Sequence, residues 1–262
     1  MRIAIVSDIH ANLEAFTMAL ADIQRMMVDE IVCLGDVAGY GPNPVDCVDI
    51  ARKRFAWMIC GNHDVALFMS HPIGFNKLAA RAIAWHKSML KPGFFSITGR
   101  KRWKYLETLE MKREENYNIR TLFVHGSPRD PIMEYVEATD CRDLMGPTEK
   151  MQQIFEMGDM LTFVGHSHRP GVVTNDEYEW HRPEDLPNGT WQINPAVKTL
   201  CNIGSVGQPR DGFSESCYVI LDDDAATLQY RRVAYDVQTT KQKILNNPNL
   251  DDRLGARLEL GR

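Results

Sequence analysis

Short runs rich in isoleucine and valine alternate with helix-like segments over the first sixty residues, and this alternation limits the folds open to the chain. Apolar residues recur at helical spacing after Asn12, which stands where a helix N-cap is expected. A strand–helix–strand–helix–strand order with short links favours right-handed crossovers and a largely parallel sheet. The predicted strands cover 2–7, 30–34 and 55–60, and the predicted helices cover 13–27 and 43–54.

The pattern of predicted elements changes at Pro170, from helices mixed with strands to a series of short strands. Upstream, the periodicity predicts helices at 76–90, 102–109 and 139–157 and strands at 118–124 and 161–164. Downstream, short runs between turn residues predict antiparallel strands at 171–174, 190–193, 199–203, 216–221 and 226–233, with an exposed loop at 175–189. No linker divides the chain. We therefore expect one α/β domain over 1–236 and a polar tail over 237–262 that forms a frayed helix or a partner contact.

Composition excludes several classes of protein. Hydrophobic residues make up 44% and charged residues 25% of the 262 residues, which is typical of a globular chain rather than a disordered one. No apolar run approaches the ~20 residues of a membrane span, and no signal peptide is recognisable. The net charge of -5 does not favour nucleic acid or an anionic membrane. The six cysteines form no CxxC pair, which indicates reduced thiols and a cytoplasmic protein.

Histidines and carboxylates concentrate in five places, each directly after a predicted strand. Because ligands of α/β sheets bind outside the carboxyl ends of strands, these five places can converge on one crevice. The five motifs are Asp8-Ile9-His10, Gly35-Asp36, Gly61-Asn62-His63-Asp64, His125-Gly126 and Gly165-His166-Ser167-His168.

Seven of these side chains offer oxygen or imidazole nitrogen and no thiolate. Seven ligands are too many for one tetrahedral ion and suit two cations that share a bridging carboxylate. The donor set favours Mn²⁺, Fe, Zn²⁺ or Ni²⁺ over Mg²⁺, which prefers oxygen ligands alone. The candidate metal ligands are Asp8, His10, Asp36, Asn62, His125, His166 and His168.

In this order, the five motifs resemble those of the calcineurin-like metallophosphoesterases, and the resemblance runs from Asp8 to about Arg210. The stretch Gly-Ser-Val-Gly-Gln-Pro-Arg-Asp-Gly at 204–212 is similar to that of the compact bacterial branch. The resemblance implies a four-layer αββα sandwich with helices outside two mixed β-sheets. It also implies a dinuclear phosphohydrolase that uses a metal-bridging hydroxide.

The resemblance further implies a role for each residue of the motifs. His63 would lie beside the metals and act as a general acid or hydrogen-bond donor, and Asp64 would hydrogen-bond to His63 and orient its ring. Asp36 would bridge the two metals. One metal would be held by Asp8, His10, Asp36 and His168, and the other by Asp36, Asn62, His125 and His166.

The motifs of this chain differ at two points from those of neighbouring branches of the family, and these differences narrow the expected class of substrate. Protein Ser/Thr phosphatases and symmetric diadenosine tetraphosphate hydrolases carry an arginine soon after the second motif, and residues 35–41 contain none. The phosphatases also carry glutamate where this chain has Asp64. We therefore expect a small phosphodiester or nucleotide as substrate, with a protein or small-molecule phosphomonoester as the alternative. The complete ligand set disfavours a non-catalytic scaffold. The acidic composition disfavours a nuclease like those of double-strand-break repair.

Several further residues have more than one interpretation. Asn12 could cap its helix, donate to a phosphate or do both, and Arg210 could bind a phosphate or fix the local turn. Residues 65–95 could form a cap or a dimer surface, so a homo-oligomer is one possibility. We expect a small phosphorylated substrate as partner, no nucleic acid beyond nucleotides, and no membrane. The aromatic residues that could stack on a base are Tyr40, Phe68, Phe75 and Trp85, with core packing favoured for the last.

Overall fold

A computed structural model of the chain describes residues 1–70 and 74–262. The strands are β1 (Arg2–Val6), β2 (Glu30–Cys33), β3 (Trp57–Met58), β4 (Lys112–Asn116), β5 (Arg120–Val124), β6 (Arg142–Asp143), β7 (Gly146–Pro147), β8 (Leu161–Val164), β9 (Gly171–Thr174), β10 (Thr190–Gln192), β11 (Thr199–Asn202), β12 (Ser216–Asp222) and β13 (Thr227–Val233). The helices are α1 (Leu13–Arg25), α2 (Pro44–Arg54), α3 (Asn62–Ala66), α4 (Lys77–Leu90), α5 (Ile97–Glu107), α6 (Glu149–Met157), α7 (Val237–Leu245) and α8 (Asp252–Leu260).

Two mixed sheets form the framework. The first has the strand order β10-β13-β12-β1-β2-β3, and β1, β2 and β3 are parallel. The second has the order β4-β5-β8-β11-β9, and β5, β8 and β11 are parallel. Antiparallel strands flank both parallel sets. Because parallel strands end on the same side of their sheet, each parallel set presents its carboxyl ends along one edge.

Side chains along β1 alternate between two apolar layers. Ile3 and Ile5 join the core between the sheets, together with Phe123 and Phe163 of the second sheet. The intervening residues of β1 join the cluster that contains Phe16 of α1. Helix α6 covers the outer face of the second sheet. The predicted four-layer αββα sandwich is confirmed, and β1 is apolar throughout because both of its faces are covered.

The predicted helix at 139–157 is wrong over its first half. Residues up to Pro147 form a short turn and the hairpin of β6 and β7, and the helix begins only at Glu149. Gly146 has a φ of +125°, and the proline after it cannot continue a helix hydrogen-bond ladder. Thr148 then caps α6 by accepting the backbone N–H of Met151. The turn formed by Gly146 and Pro147 therefore prevents the longer helix that the apolar periodicity predicts.

Two further elements carry no clear signal in the sequence. Strand β4 has the sequence Lys-Arg-Glu-Glu-Asn, and its residues alternate between exposed and half-buried. As an edge strand paired only through β5, it needs no apolar side chains. Helix α5 begins at Ile97, ahead of the expected start at Arg102, because Ser96 caps it by accepting the N–H of Gly99.

The segment 237–262, expected as a frayed tail, forms two helices that pack on the body of the protein. Ile244 of α7 and Leu254 and Leu258 of α8 are buried in one cluster with Tyr40 and Ala79. Each helix is polar on its outer face, so its short apolar stripe is a weak signal in the sequence.

Part of the segment 65–95, expected as a cap or dimer surface, lies outside the described residues at 71–73. Helix α4, which follows, buries Ala79, Ala82 and Ile83 within the protein. In the described parts of the chain, no helix is long and apolar enough to cross a bilayer.

Candidate metal centre

The loops that follow β1, β2, β3, β5 and β8 bring the seven predicted metal ligands together. The first three loops belong to one sheet and the last two to the other, and their carboxyl edges meet at one end of the sandwich. The seven residues have side chains buried from solvent, with exposures of 0% to 6%: Asp8, His10, Asp36, Asn62, His125, His166 and His168.

The backbone of these loops is unusual. Five of the seven residues adopt a positive φ, between +47° and +62°, a region that non-glycine residues rarely occupy: Asp8, His10, Asp36, His166 and His168. Such a conformation costs of order 1–3 kcal/mol per residue and persists only where the surrounding structure enforces it. It turns each side chain sharply out of the end of its strand and toward the neighbouring loops.

One cluster of ligand atoms consists of Asp8, His10 and His168, all within 4.8 Å of one another. The Nε2 atom of His168 lies 3.1 Å from Oδ1 of Asp8, and that of His10 lies 3.6 Å from the same oxygen. The two Nε2 atoms are 3.0 Å apart. Three electron-rich atoms at this separation match the ligand set of a divalent cation.

A second cluster consists of Asp36, His125 and His166, again within 4.8 Å. His125 Nε2 lies 3.4 Å from Oδ2 of Asp36 and 3.1 Å from Oδ1 of Asn62. The same Asp36 oxygen lies 3.9 Å from Nε2 of His10 in the first cluster. Asp36 therefore reaches both clusters, as its predicted bridging role requires.

Backbone carbonyl oxygens orient the histidine rings. In His166, Nε2 contacts the Met133 carbonyl at 3.1 Å, which leaves Nδ1 for the centre. Such contacts fix the ring tautomer and are typical of metal-binding histidines. The other three rings contact a carbonyl through Nδ1 and turn Nε2 inward: His10 on Ala38, His125 on Leu34 and His168 on Gln208.

Two carboxylate oxygens in the centre have no hydrogen-bond partner in the described protein, although both are buried. These are Oδ1 of Asp8 and Oδ2 of Asp36. The second oxygen of each carboxylate is satisfied by a backbone N–H, from His166 for Asp8 and from His63 for Asp36. A buried unpaired carboxylate oxygen is costly unless a cation or donor meets it, so these residues fit the metal pair that the motifs imply.

The electrostatics of the centre follow from burial and mutual charge. Burial by itself raises the pKa of Asp8 and Asp36, but neighbouring histidines, chiefly His168 for Asp8 and His125 for Asp36, lower both below the ordinary value. Burial lowers the pKa of His125, but the Asp36 carboxylate outweighs it and raises that pKa to about 9. Burial and Arg210 lower the pKa of His168 to about 3. Both carboxylates are thus held in the charged form that metal binding needs.

His63 lies next to the two clusters of ligand atoms. Its ring centre is 4.9 Å from that of His10, 4.5 Å from Tyr40 and 5.0 Å from Phe75. Its Nδ1 is buried and has no hydrogen-bond partner among the described residues. Burial lowers the pKa of His63 well below its usual value, so the ring is neutral at pH 7. One of its nitrogens also comes within 4.8 Å of ligand atoms of His10 and Asp36.

The predicted contact between Asp64 and His63 is wrong. Asp64 instead accepts three backbone N–H groups: Oδ2 accepts those of Asp36 at 2.7 Å and Gly61 at 3.2 Å, and Oδ1 accepts that of Ala38 at 3.1 Å. The carboxylate lies beneath the loops and not beside the imidazole. Burial and the Asp36 carboxylate raise the pKa of Asp64 to about 7. Asp64 is therefore a positioning residue for the loop that carries Asp36.

Of the two interpretations of Asn12, the structure supports the helix cap. Its Oδ1 accepts the N–H of Ala15 and the hydroxyl of Thr240. Its Nδ2 donates to the Gly207 carbonyl and to the Tyr235 hydroxyl. The side chain is buried and its amide is fully used, so the predicted phosphate contact is wrong.

Arg210 lies at the entrance to the centre. It lines, together with Asp36, His63 and His168, a cavity of about 100 Å³. Its Nη2 donates to Gln208 Oε1 at 3.0 Å, and its Nε is buried without a partner. This position is compatible with the predicted phosphate contact.

The four candidate stacking residues separate into two pairs. Tyr40 and Phe75 line the cavity beside His63. Phe68 packs on Trp103, with ring centres 4.6 Å apart, and Trp85 packs among the residues beneath α7 and α8. Core packing thus accounts for the second pair.

Three residues at the site were not identified from the sequence. Tyr135 stacks on His166, with ring centres 4.1 Å apart. His86 accepts the Gly39 N–H at 2.9 Å and contacts the Gly41 carbonyl at 2.9 Å, which fixes the loop behind His63. Arg257 of α8 approaches Tyr40. None of the three stands in a motif, so no local pattern marks them.

Comparison with known proteins gives four matches. The family model described as the calcineurin-like phosphoesterase superfamily domain matches residues 1–225. The uncharacterized protein MJ0912 of Methanocaldococcus jannaschii is 36% identical over 263 residues, which cover 99% of this chain and 98% of that protein. A metallophosphoesterase from Sphaerobacter thermophilus has a TM-score of 0.81 at 32% identity, covering 100% of this chain and 99% of that one. The hypothetical protein PH1004 of Pyrococcus horikoshii OT3 shares the fold, with a TM-score of 0.75 at 17% identity and coverage of 100% and 98%.

Proposed function

This chain belongs to the calcineurin-like phosphoesterase superfamily, and from that membership we propose that it is a dinuclear metal-dependent phosphodiesterase. Its proposed substrate is a small phosphodiester or a nucleotide. The observation that carries the proposal is the position of Asp36. Its unpaired Oδ2 lies 3.4 Å from Nε2 of His125 and 3.9 Å from Nε2 of His10, between two clusters of ligand atoms.

The residues that would hold the two ions are those of the two clusters, with Asn62 added to the second. Mn²⁺ is the proposed ion, with Fe, Zn²⁺ or Ni²⁺ as alternatives, because nitrogen and oxygen donors are mixed. Two bound cations would supply activation of the attacking water and stabilisation of charge on the phosphoryl oxygens.

His63 would act on the substrate through a ring N–H. The neutral imidazole has one donor nitrogen, and its partner-free position beside the cavity allows that nitrogen to approach a phosphoryl or leaving-group oxygen. Hydrogen-bond donation from the neutral ring to a phosphoryl or leaving-group oxygen in the transition state fits this placement.

The shape of the site supports a small substrate. The cavity of about 100 Å³ is lined by His63 and Arg210 and by the aromatic rings of Tyr40 and Phe75. A phosphate group fits such a space, and a planar organic group can pack against the rings. We further propose a cytoplasmic location, because a reducing compartment suits the six cysteines, all of which are buried free thiols.

The first test compares two chromogenic esters. The full chain is stripped with a chelator and reconstituted with Mn²⁺, and turnover of bis-p-nitrophenyl phosphate is compared with that of p-nitrophenyl phosphate. We expect metal-dependent turnover that favours the diester. A preference for the monoester would replace this proposal with a phosphomonoesterase, and no turnover of either ester or of natural nucleotides would overturn it.

A substitution of Asp36, the proposed bridging ligand, tests the dinuclear centre itself. We expect Asp36→Asn to bind fewer than two Mn²⁺ ions per chain and to lose turnover, because the shared ligand is weakened for both ions. Asp185→Asn, an exposed change of the same kind, is the matched control and should retain both ions. Metal content after desalting, measured by atomic emission, separates the two outcomes.

A further inference from the structure

Two arginines from distant parts of the chain approach the same aromatic ring at the metal centre. The guanidinium carbon of Arg210 lies 5.8 Å from the ring centre of Tyr40, and that of Arg257 lies 6.0 Å from it. Tyr40 in turn lies 4.5 Å from the ring of His63 and 4.7 Å from that of His10. Both positive charges are therefore close to a ring that lines the cavity, and Arg210 also lines the cavity itself.

Neither of these arginines is neutralised by an acidic side chain. Within the described residues, no Asp or Glu oxygen lies within 4.0 Å of either guanidinium. Neighbouring arginines differ: Arg169 pairs with Glu137 at 3.2 Å, and Arg232 pairs with Glu184 at 2.7 Å. Two like charges held close together repel each other, and an anion that bridges them would relieve the repulsion.

The protein holds the two arginines in place. Arg210 donates through Nη2 to Gln208 Oε1 at 3.0 Å and to the Tyr40 hydroxyl at 3.5 Å, and its buried Nε has no partner among the described residues. Arg257 donates through Nε to the terminal main-chain oxygen of Arg262 at 2.8 Å, and its Nη1 and Nη2 atoms have no hydrogen-bond partner among the described residues. The end of α8 is hydrogen-bonded to the loop after Arg210, because the Gly212 N–H donates to the Gly261 carbonyl at 3.0 Å. The two cations therefore lie on connected segments.

The surroundings of Arg257 agree with a partly enclosed anion site. The side chain is half-buried, and the adjacent Leu254 and Leu258 anchor α8 in the apolar cluster beneath it. Burial and the nearby Arg210 guanidinium lower the pKa of Arg257, although it stays charged at neutral pH. A half-buried arginine next to another cation is stabilised most by a doubly charged ligand such as phosphate.

We propose that Arg210 and Arg257 form a subsite for a second phosphate group of the substrate, next to the phosphate at the metal centre. This inference rests on the proposed function and narrows it. The favoured substrates carry a phosphoanhydride or an additional phosphate, and simple diesters lacking a second anionic group use the metal centre alone. The C-terminal helix α8 is then part of the substrate site.

Inorganic pyrophosphate and orthophosphate are the probes that test the subsite. Binding of each to the Mn²⁺-loaded full chain is measured by calorimetry, for the wild type, Arg257→Met and Arg257→Lys. We expect pyrophosphate to bind the wild type about tenfold or more tightly than orthophosphate. Arg257→Met should lose about tenfold for pyrophosphate with little change for orthophosphate, and Arg257→Lys should recover part of the loss. Arg253→Met, an exposed change on the same helix, should leave both affinities unchanged.

Turnover of bis-p-nitrophenyl phosphate separates the failure of this inference from the failure of the proposed function. Its kcat/KM should be the same in the control Arg253→Met as in the wild type, and this turnover reports on the proposed function alone because the ester carries no second phosphate. The subsite would be overturned if the wild type bound pyrophosphate and orthophosphate with equal affinity. It would also be overturned if Arg257→Met lost affinity equally for both probes, even if the diester is hydrolysed. Selective loss of pyrophosphate binding in a protein that hydrolyses no diester would retain the subsite and overturn the proposed function instead.

Discussion

The carboxylate of Asp64 accepts the backbone N–H of Asp36 at 2.7 Å. The two aspartates lie on the loops after β3 and β2, so this contact joins neighbouring strand ends underneath the metal centre. Gly61 allows the approach, because a Cβ atom there would lie 2.1 Å from Oδ1 of Asp36. The conformation of the Asp36 loop, including its positive φ of +55°, therefore depends on a residue that faces away from the cavity.

From this arrangement we expect Asp64→Asn to weaken metal binding. An asparagine offers one acceptor oxygen in place of two, so at least one backbone N–H around Asp36 loses its partner. Loss of such a supporting contact typically costs 10–100-fold in metal affinity or activity. Titration of Mn²⁺ against a chelating dye measures the change, with exposed Asp185→Asn as control. Unchanged metal affinity together with a lower kcat would contradict this positioning role. It would instead support the prediction that Asp64 orients the ring of His63.

His63 should affect turnover and not metal content. We expect His63→Ala to lower kcat for the diester by roughly 10²–10⁴-fold while both ions stay bound, because a hydrogen-bond donor to the substrate is removed. His181→Ala, at a partly exposed histidine remote from the centre, is the control. The check is kcat together with metal content in each protein. Loss of an ion in His63→Ala would show that His63 is a ligand.

The backbone of Gly39 packs directly against the His63 ring. A Cβ atom at this position would lie 2.3 Å from Nδ1 of His63, and its φ of +98° is unfavourable for other residues. We expect Gly39→Ala to displace the imidazole, to lower kcat and to cost of order 1–3 kcal/mol in stability. Gly93→Ala is the matched control, because a Cβ there meets no atom within 4 Å. Diester kinetics and urea unfolding test both effects, and wild-type kcat in Gly39→Ala would disprove the packing argument.

Asp22 provides a pH-dependent contribution to stability away from the metal centre. Its carboxylate accepts the Tyr218 hydroxyl at 2.8 Å and the guanidinium of Arg231 at 3.0 Å, and Arg25 also contacts it. Burial raises the pKa of Asp22, but these partners outweigh it and lower that pKa below the ordinary 3.8. A lowered folded-state pKa stabilises the protein above the unfolded pKa, and the contribution is lost as pH falls through the folded pKa.

We therefore expect Asp22→Asn to destabilise the protein at pH 7 by about 1–3 kcal/mol, the usual range for hydrogen bonds to a charged group. The difference from the wild type should shrink as pH falls below about 3.8, because the carboxyl is protonated first in the unfolded wild type, and its charge-dependent part should be lost only below the lower folded-state pKa. Urea unfolding of both proteins at pH 7 and pH 3 measures it. A difference independent of pH would mean that shape, and not charge, accounts for the effect.

Much of the metal centre was predictable because its residues follow strands directly. The position of Asp8 or His125 at the end of a buried apolar run is a local property, and parallel strands place such residues at one edge. The contacts of Asp64 were not predictable from the same motif. Its side chain could equally have reached the neighbouring imidazole, and the choice depended on how the β2 and β3 loops pack.

The sequence by itself determined the alternation of elements, the set of candidate metal ligands and the family, because periodicity and short motifs are local patterns. The tertiary structure decided three contacts. The side chain of Asn12 caps a helix, Asp64 accepts the backbone N–H of Asp36, and Arg257 lies with Arg210 near the ring of Tyr40. These outcomes involve residues far apart in the chain. Side chains with several possible partners acquire one only when packing fixes the distances between the segments that carry them.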